Sequence, residues 1–257
     1  MKLAFAALAA ALLPAAPAAR AQDLPIPDYT IANQGRIGTL ITQGVIDRHQ
    51  GKKEHQSSGY VVGRPGSRPP TTAGTRPAGA AAATAAVNLT YAPTVAQRQH
   101  TVQQYADDLR AANPTAARTI AASFGPGQPA DYTALYQQLL QGTGLPTNDV
   151  GTALAALLVT GWQIVGANQQ RLSLRGPEVR AVRAQLLPLL GPALRTEAAP
   201  AGENFKLQTV LLTAGWQGAV QKNTAPAFQQ KIAALFQTRY HFDLAQSQLT
   251  AEGFAKK

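Results

Sequence analysis

The sequence predicts an all-α fold: a compact helical bundle of about six to seven helices with a repeated helical hairpin, preceded by a mostly disordered N-terminal segment and linker. Three observations carry this prediction. From Asn88 to Tyr240 helix start and stop signals recur densely, and no strand pattern interrupts them. Before Asn88, the run Lys52–Val87, with "GRPGSRPPTTAGTRPAGAAAATAA" at its heart, holds proline, glycine, threonine and alanine without periodic apolar residues. Such a composition cannot build a core. Finally, "LLVTGWQ" (Leu157–Gln163) returns as "LLTAGWQ" (Leu211–Gln217), and these two phrases hold both tryptophans of the chain.

The elements follow in order. Lys2, the apolar run Leu3–Leu13 and the small-x-small triplet Ala19-Arg20-Ala21 read as a secretory signal peptide over residues 1–21, cleaved to leave Gln22 at the mature N-terminus. The apolar run is well short of the about 20 residues that a span needs. Residues 22–51 form a short segment in which Ile37, Leu40, Ile41, Val45 and Ile46 suit one helical face; the β-branched residues equally suit a short strand. With the 52–87 linker behind it, this segment is either a docking element or a tail.

The helical domain is expected over 88–257. Thr94-Val-Ala-Gln97 is a capping box that opens a helix carrying Val95, Val102, Tyr105 and Leu109. Asn113-Pro114 pairs an N-cap with proline at the first helical position. A third helix is expected from Pro129 to Gly142, with Tyr132, Leu135, Tyr136, Leu139 and Leu140 at helical spacing. A fourth is capped by Thr147 or Asn148 and runs to about Gln169. A fifth opens at Gly176-Pro177 and is cut short by Pro188. The sixth spans Glu203 to about Asn223, and the seventh Pro226 to about Tyr240. About 170 residues of this kind support one core.

The repeated phrase reads as packing. Leu154, Leu158, Gly161, Trp162 and Val165 fall on one helical face, as do Leu212, Gly215, Trp216 and Ala219. A glycine beside an indole lets a neighbouring element come close while the ring covers it. Each copy precedes a proline-started helix, so the repeat has the form of a duplicated helical hairpin. A ligand cleft flanked by the two indoles is the sharper alternative; large apolar residues at helical spacing favour the core. Val150–Gln170 contains no charged residue and has the length of a span, but its threonines, asparagine and glutamines favour a buried central helix.

Charge and chemistry narrow the function. The chain has 23 Lys and Arg against 13 Asp and Glu; loss of Lys2 and Arg20 with the signal leaves a net charge of +8. That balance favours anionic surfaces, such as lipid head groups or wall polymers, and outside the cytoplasm no nucleic acid is expected as a partner. The local concentration is Arg171, Arg175, Arg180 and Arg183, a candidate anion patch, though the lack of interleaved aromatic residues favours an ordinary solvated helix end. There is no cysteine, hence no disulfide and no thiol nucleophile. His49, His55, His100 and His241 lie at no metal-ligand spacing, and Asp107 and Asp108 point about 100° apart on a helix. No catalytic serine elbow or phosphate-cradling glycine loop is present. No catalytic, cofactor or metal residue is therefore nominated, and the tendency is away from an enzyme.

Tyr91-Ala-Pro93, Asn113-Pro114, Gly144-Leu145-Pro146-Thr-Asn148-Asp149-Val150 and Trp162 together resemble a family of uncharacterised exported bacterial proteins, a domain of unknown function, over Tyr91 to about Asn168. The resemblance implies an exported helical domain and no activity. Two functions are expected of such a chain. One is a non-enzymatic envelope protein that offers its bundle to a protein partner, with no transmembrane span after signal cleavage. The other is an envelope hydrolase or a lipid- or polymer-binding protein with a cleft between helices. A deep pocket with converging polar residues would favour the second, and an apolar surface patch the first.

Overall fold

The computed structural model describes residues 88–166, 172–194 and 197–257. The expected signal peptide, the 22–51 segment, the 52–87 linker, Arg171, His49 and His55 lie outside the described residues. The described chain is all-α in class. Its seven helices are α1 (Val95–Arg110), α2 (Pro114–Ser123), α3 (Tyr132–Leu139), α4 (Val150–Gly166), α5 (Gly176–Leu194), α6 (Ala198–Gln221) and α7 (Ala225–Tyr240), followed by strands β1 (Ser247–Thr250) and β2 (Gly253–Lys256).

Side-chain caps set several of the starts. The Thr94 side chain accepts from the Gln97 N–H at 3.1 Å, and that of Asn113 from the Ala116 N–H at 2.8 Å, as the sequence predicted. Two other starts move. Helix α3 begins at Tyr132 rather than Pro129, because Asp131 takes the cap: its Oδ1 accepts from the Thr133 N–H at 2.9 Å. Helix α4 is capped by Asp149 rather than by Thr147 or Asn148; its Oδ1 accepts from the Thr152 N–H at 2.7 Å.

Prolines mislead in the other direction. Helix α5 runs through Pro188 to Leu194 instead of stopping there. Proline removes one helical hydrogen bond, to the carbonyl of Ala184. Pro188 is exposed, so water can satisfy that carbonyl, while Val179, Val182, Gln185 and Leu186 hold the helix by its buried face. Helix α6 starts at Ala198 rather than Glu203, with Pro200 in its first turn, where the N–H groups have no helical acceptor in any case.

The layers form around α4. Every residue from Val150 to Gly161 is buried, so the charge-free stretch is the central core helix. Its most extensive neighbour is α6, then α5 and α7; α1 and α2 pack on each other, and α3 lies on α6. No described helix is long and apolar enough to cross a membrane.

Beyond the last helix the structure adds strands that the sequence reading does not name. β1 and β2 form an antiparallel hairpin that pairs Leu249 with Phe254 and Thr250 with Gly253. Alternation is visible in "SQLTAEGFAK", but each strand has only 4 residues, too short for the pattern to stand out. Helix α5 backs the hairpin and buries Phe254 against Phe242, ring centroids 5.1 Å apart.

Candidate functional site

Extended backbone builds the site's first wall. The Tyr91 N–H donates to the Asn148 carbonyl at 3.0 Å and the Val150 N–H to the Leu89 carbonyl at 3.1 Å. The segment before α1 is thereby fastened to the start of α4, and Tyr91 comes to rest over α6 at Gly202. A β-carbon at Gly202 would overlap the Tyr91 ring, so only glycine permits this approach. A second loop holds Asn148 in place. Gly142 and Gly144 adopt φ values of +77° and +67°, and the intervening Thr143 carbonyl accepts from Arg180 Nη1 at 2.9 Å.

Beneath Tyr91 lies a buried ionic network. Glu203 and Lys206, one turn apart on α6, are 0 % and 2 % exposed, and Lys206 Nζ donates to Glu203 Oε1 at 2.6 Å. The same Oε1 accepts from the Tyr91 hydroxyl at 2.8 Å, and Oε2 accepts from the Tyr132 hydroxyl at 2.5 Å. Lys206 Nζ also donates to Asn148 Oδ1 at 2.7 Å and lies 4.9 Å from the Tyr91 ring centroid. A buried pair endures when hydrogen bonds satisfy its remaining valences. Here the carboxylate accepts from three donors and the ammonium gives two hydrogen bonds plus a cation–π contact.

Above the network opens a cleft of about 320 Å³, lined by Tyr91, Arg98, Tyr136, Asn148 and Lys206 among others. Among the described residues no carboxylate and no imidazole lines it. The Tyr136 hydroxyl is fully buried there and has no hydrogen-bond partner among the described residues, and the same is true of Arg98 Nε. Arg98 Nη1 donates to Thr133 Oγ1 at 3.3 Å.

Burial governs the titration of these groups. It pushes the hydroxyls of Tyr91, Tyr132 and Tyr136 far above the ordinary phenol range, reinforced by the Glu203 carboxylate at Tyr91 and Tyr132 and by Asp149 and then Glu203 at Tyr136, so all three stay protonated. Burial also pulls the Lys206 ammonium below its usual value, opposed by the charge of Glu203 and its hydrogen bond.

The residues of the repeated phrase and of the candidate anion patch lie elsewhere. Trp216 is 1 % exposed, in the core beside Phe228. Trp162 is partly buried at the hairpin, edge-on to Phe254 with centroids 6.4 Å apart. Neither lines the cleft. Gly161 lies under Phe236 and Gly215 under Phe228; a β-carbon at either would collide with the ring. Both rings belong to α7, so the two copies of the phrase do not make equivalent contacts. The candidate anion patch divides as well. Arg183 makes a two-pronged pair with Asp149, at 2.8 Å to each oxygen; Arg180 is occupied by the Thr143 carbonyl; exposed Arg175 lies 3.6 Å from Glu178. His100 and His241 are exposed, and exposed Asp107 pairs with Arg110.

The sequence reading nominated none of Arg98, Tyr132, Tyr136, Glu203 and Lys206 as a site. One signal was available. Glu203 and Lys206 are the only charged residues in α6, which otherwise reads as a core helix, and their spacing of three places them side by side. No family model, curated protein or solved structure matches this chain.

Proposed function

We propose that the chain is an exported bacterial envelope protein whose helical domain is a binding module, holding a small polar molecule in the cleft beside Tyr91. The observation that carries this reading is the Tyr136 hydroxyl: buried, protonated and without a protein partner at the wall of a cleft. An unsatisfied buried hydroxyl costs about 1–3 kcal/mol. A ligand that accepts its hydrogen bond recovers that cost. A cleft of this volume falls at the small end of ligand sites.

Binding is favoured over hydrolysis because, among the described residues, no carboxylate or imidazole lines the cleft to act as a general base, and both oxygens of nearby Glu203 are already occupied. It is favoured over a flat protein–protein contact because, among the residues whose side chains the structure describes, Val95 is the one large apolar side chain that is exposed. Export rests on the signal-like N-terminus and on the resemblance to exported proteins.

Two measurements test the proposal. Mass spectrometry of the protein from the envelope fraction should find Gln22 at the N-terminus; an intact Met1 would refute export. A thermal-shift screen against small sugars, amino acids, carboxylates and phosphates should find a compound that raises the melting temperature in a concentration-dependent way. A flat response across the whole panel would refute the cleft.

A further inference from the structure

We infer that the molecule held in the cleft carries a carboxylate or phosphate group, gripped by Arg98, Lys206 and Tyr136. The inference rests on the cleft being a binding site and deepens that reading.

The hydrogen-bonding capacity left over in the cleft is the evidence. Glu203, the only carboxylate of the network, already accepts from Tyr91, Lys206 and Tyr132. Lys206 uses two of its three ammonium hydrogens, on Glu203 and Asn148. The third has no oxygen acceptor among the described residues and is left to the faces of the Tyr91 and Tyr136 rings, whose centroids lie 4.9 and 5.9 Å from Nζ. Arg98 Nε and the Tyr136 hydroxyl likewise lack acceptors. Each of these groups has a hydrogen to give, two of them are cationic and only the phenol can also accept, so a phenol, an ammonium and an arginine together match the several lone pairs of an anionic oxygen group.

Charge points the same way. Arg98 and Lys206 line the cleft, whereas Glu203 lies behind it with its oxygens covered. Asp131 offsets part of the Arg98 charge, but its own oxygens are held by Thr133 and Gly127, and it does not line the cleft. The wall that a ligand meets is therefore positive. An anion would also offset the charge of Arg98, which disfavours the Lys206 ammonium.

Calorimetric titration of the purified protein tests the inference with four probes: succinate, its neutral diamide succinamide, inorganic phosphate and glycerol phosphate. Succinate or one of the phosphates should bind at least about tenfold more tightly than succinamide. Arg98→Gln and Tyr136→Phe should each weaken that binding about tenfold. Tyr136→Phe removes an unpartnered hydroxyl and should leave the melting temperature unchanged or raised, so its effect reads as lost contact rather than lost fold. Vesicles of phosphatidylglycerol, run beside free glycerol phosphate, distinguish a lipid head group from a soluble anion, and binding by either supports the class. Equal binding of succinamide, anion binding that ignores both substitutions, or no binding of any anionic probe overturns the anion. A neutral compound that still raises the melting temperature in the broader panel would then leave the cleft reading standing, whereas a flat panel removes both.

Discussion

The indole Nε1 of Trp162 donates to the main-chain carbonyl of Ser247 at 3.0 Å, which ties helix α4 to strand β1 across 85 positions of sequence. Strand β2 is fastened in the same manner. Gln185 Nε2 donates to the Phe254 carbonyl and the Phe254 N–H donates to Gln185 Oε1, both at 2.8 Å, so one side-chain amide takes the place of a neighbouring strand. A two-stranded hairpin is marginal alone, and its open edges invite pairing. Here helix side chains supply what a third strand would. The first tryptophan of the repeated phrase is therefore a latch, and the second is core.

That distinction gives the first prediction. Trp162→Phe keeps the ring and loses the donor; it should lower stability by about 1 kcal/mol and raise amide exchange selectively over 247–256. Trp216→Ala should cost about 3–5 kcal/mol and loosen the whole bundle together. Hydrogen exchange beside thermal melts checks both. A uniform rise in exchange for Trp162→Phe would show that the hairpin is no separate unit.

Gly161→Ala should destabilise by about 1–3 kcal/mol, because the new methyl meets the buried Phe236 ring in a packed core. Pairing it with Phe236→Leu should recover part of the loss, as measured by denaturant unfolding. No recovery in the pair would mean that the strain lies elsewhere.

The buried pair of α6 makes a third prediction. Lys206→Met leaves Glu203 buried without its cation and should cost about 3–5 kcal/mol. Adding Glu203→Gln, which neutralises the residue while keeping an acceptor for the tyrosine hydroxyls, should restore much of that stability. A double variant as unstable as the single one would show that the charge is not the source of the penalty.

Acid sensitivity follows from Asp149. Burial pushes its carboxyl up, but the guanidinium of Arg183 and the Thr152 N–H outweigh burial and hold it below the ordinary carboxylate value. A depressed folded-state value contributes stability that is fully present above the unfolded value, about 3.9, and is lost as pH falls through the folded one. Asp149→Asn should retain the helix cap, lower stability at pH 7 by about 1.5–3 kcal/mol and flatten the acid limb below pH 4. An acid limb identical to that of the parent chain would assign the loss to other carboxylates.

Much of the bundle was legible in the sequence. Thr94 and Asn113 cap where they were expected to because an Ncap signal is local: a side chain, a turn and nothing further. Asp131 and Asp149 were passed over for neighbouring residues with equally good local credentials, and only tertiary placement decided between them. Pro188 was read as a stop because a local rule cannot see that the opposite face of the helix is buried. The cleft was less visible still. Tyr91 and Asn148 stand out in the resemblance without a role, Glu203 reads only as a helix start, and Lys206 carries no signal of its own. Their chemistry depends on Tyr132, 71 positions before Glu203, and Tyr91, 112 before it. Such convergence leaves no periodic trace.

The most direct test of the binding cleft is chemical-shift mapping. Backbone amide spectra of the labelled protein should be recorded while succinate, phosphate and glucose are added in turn, and the responding residues located. The account predicts that a binding probe moves the amides of Tyr91, Arg98, Asn148 and Lys206 together, saturably, and leaves those around Trp162 and Ser247 in place. Saturable shifts confined to the hairpin or to the outer faces of α5 and α7, with the Tyr91–Lys206 group unmoved by every probe, would contradict it.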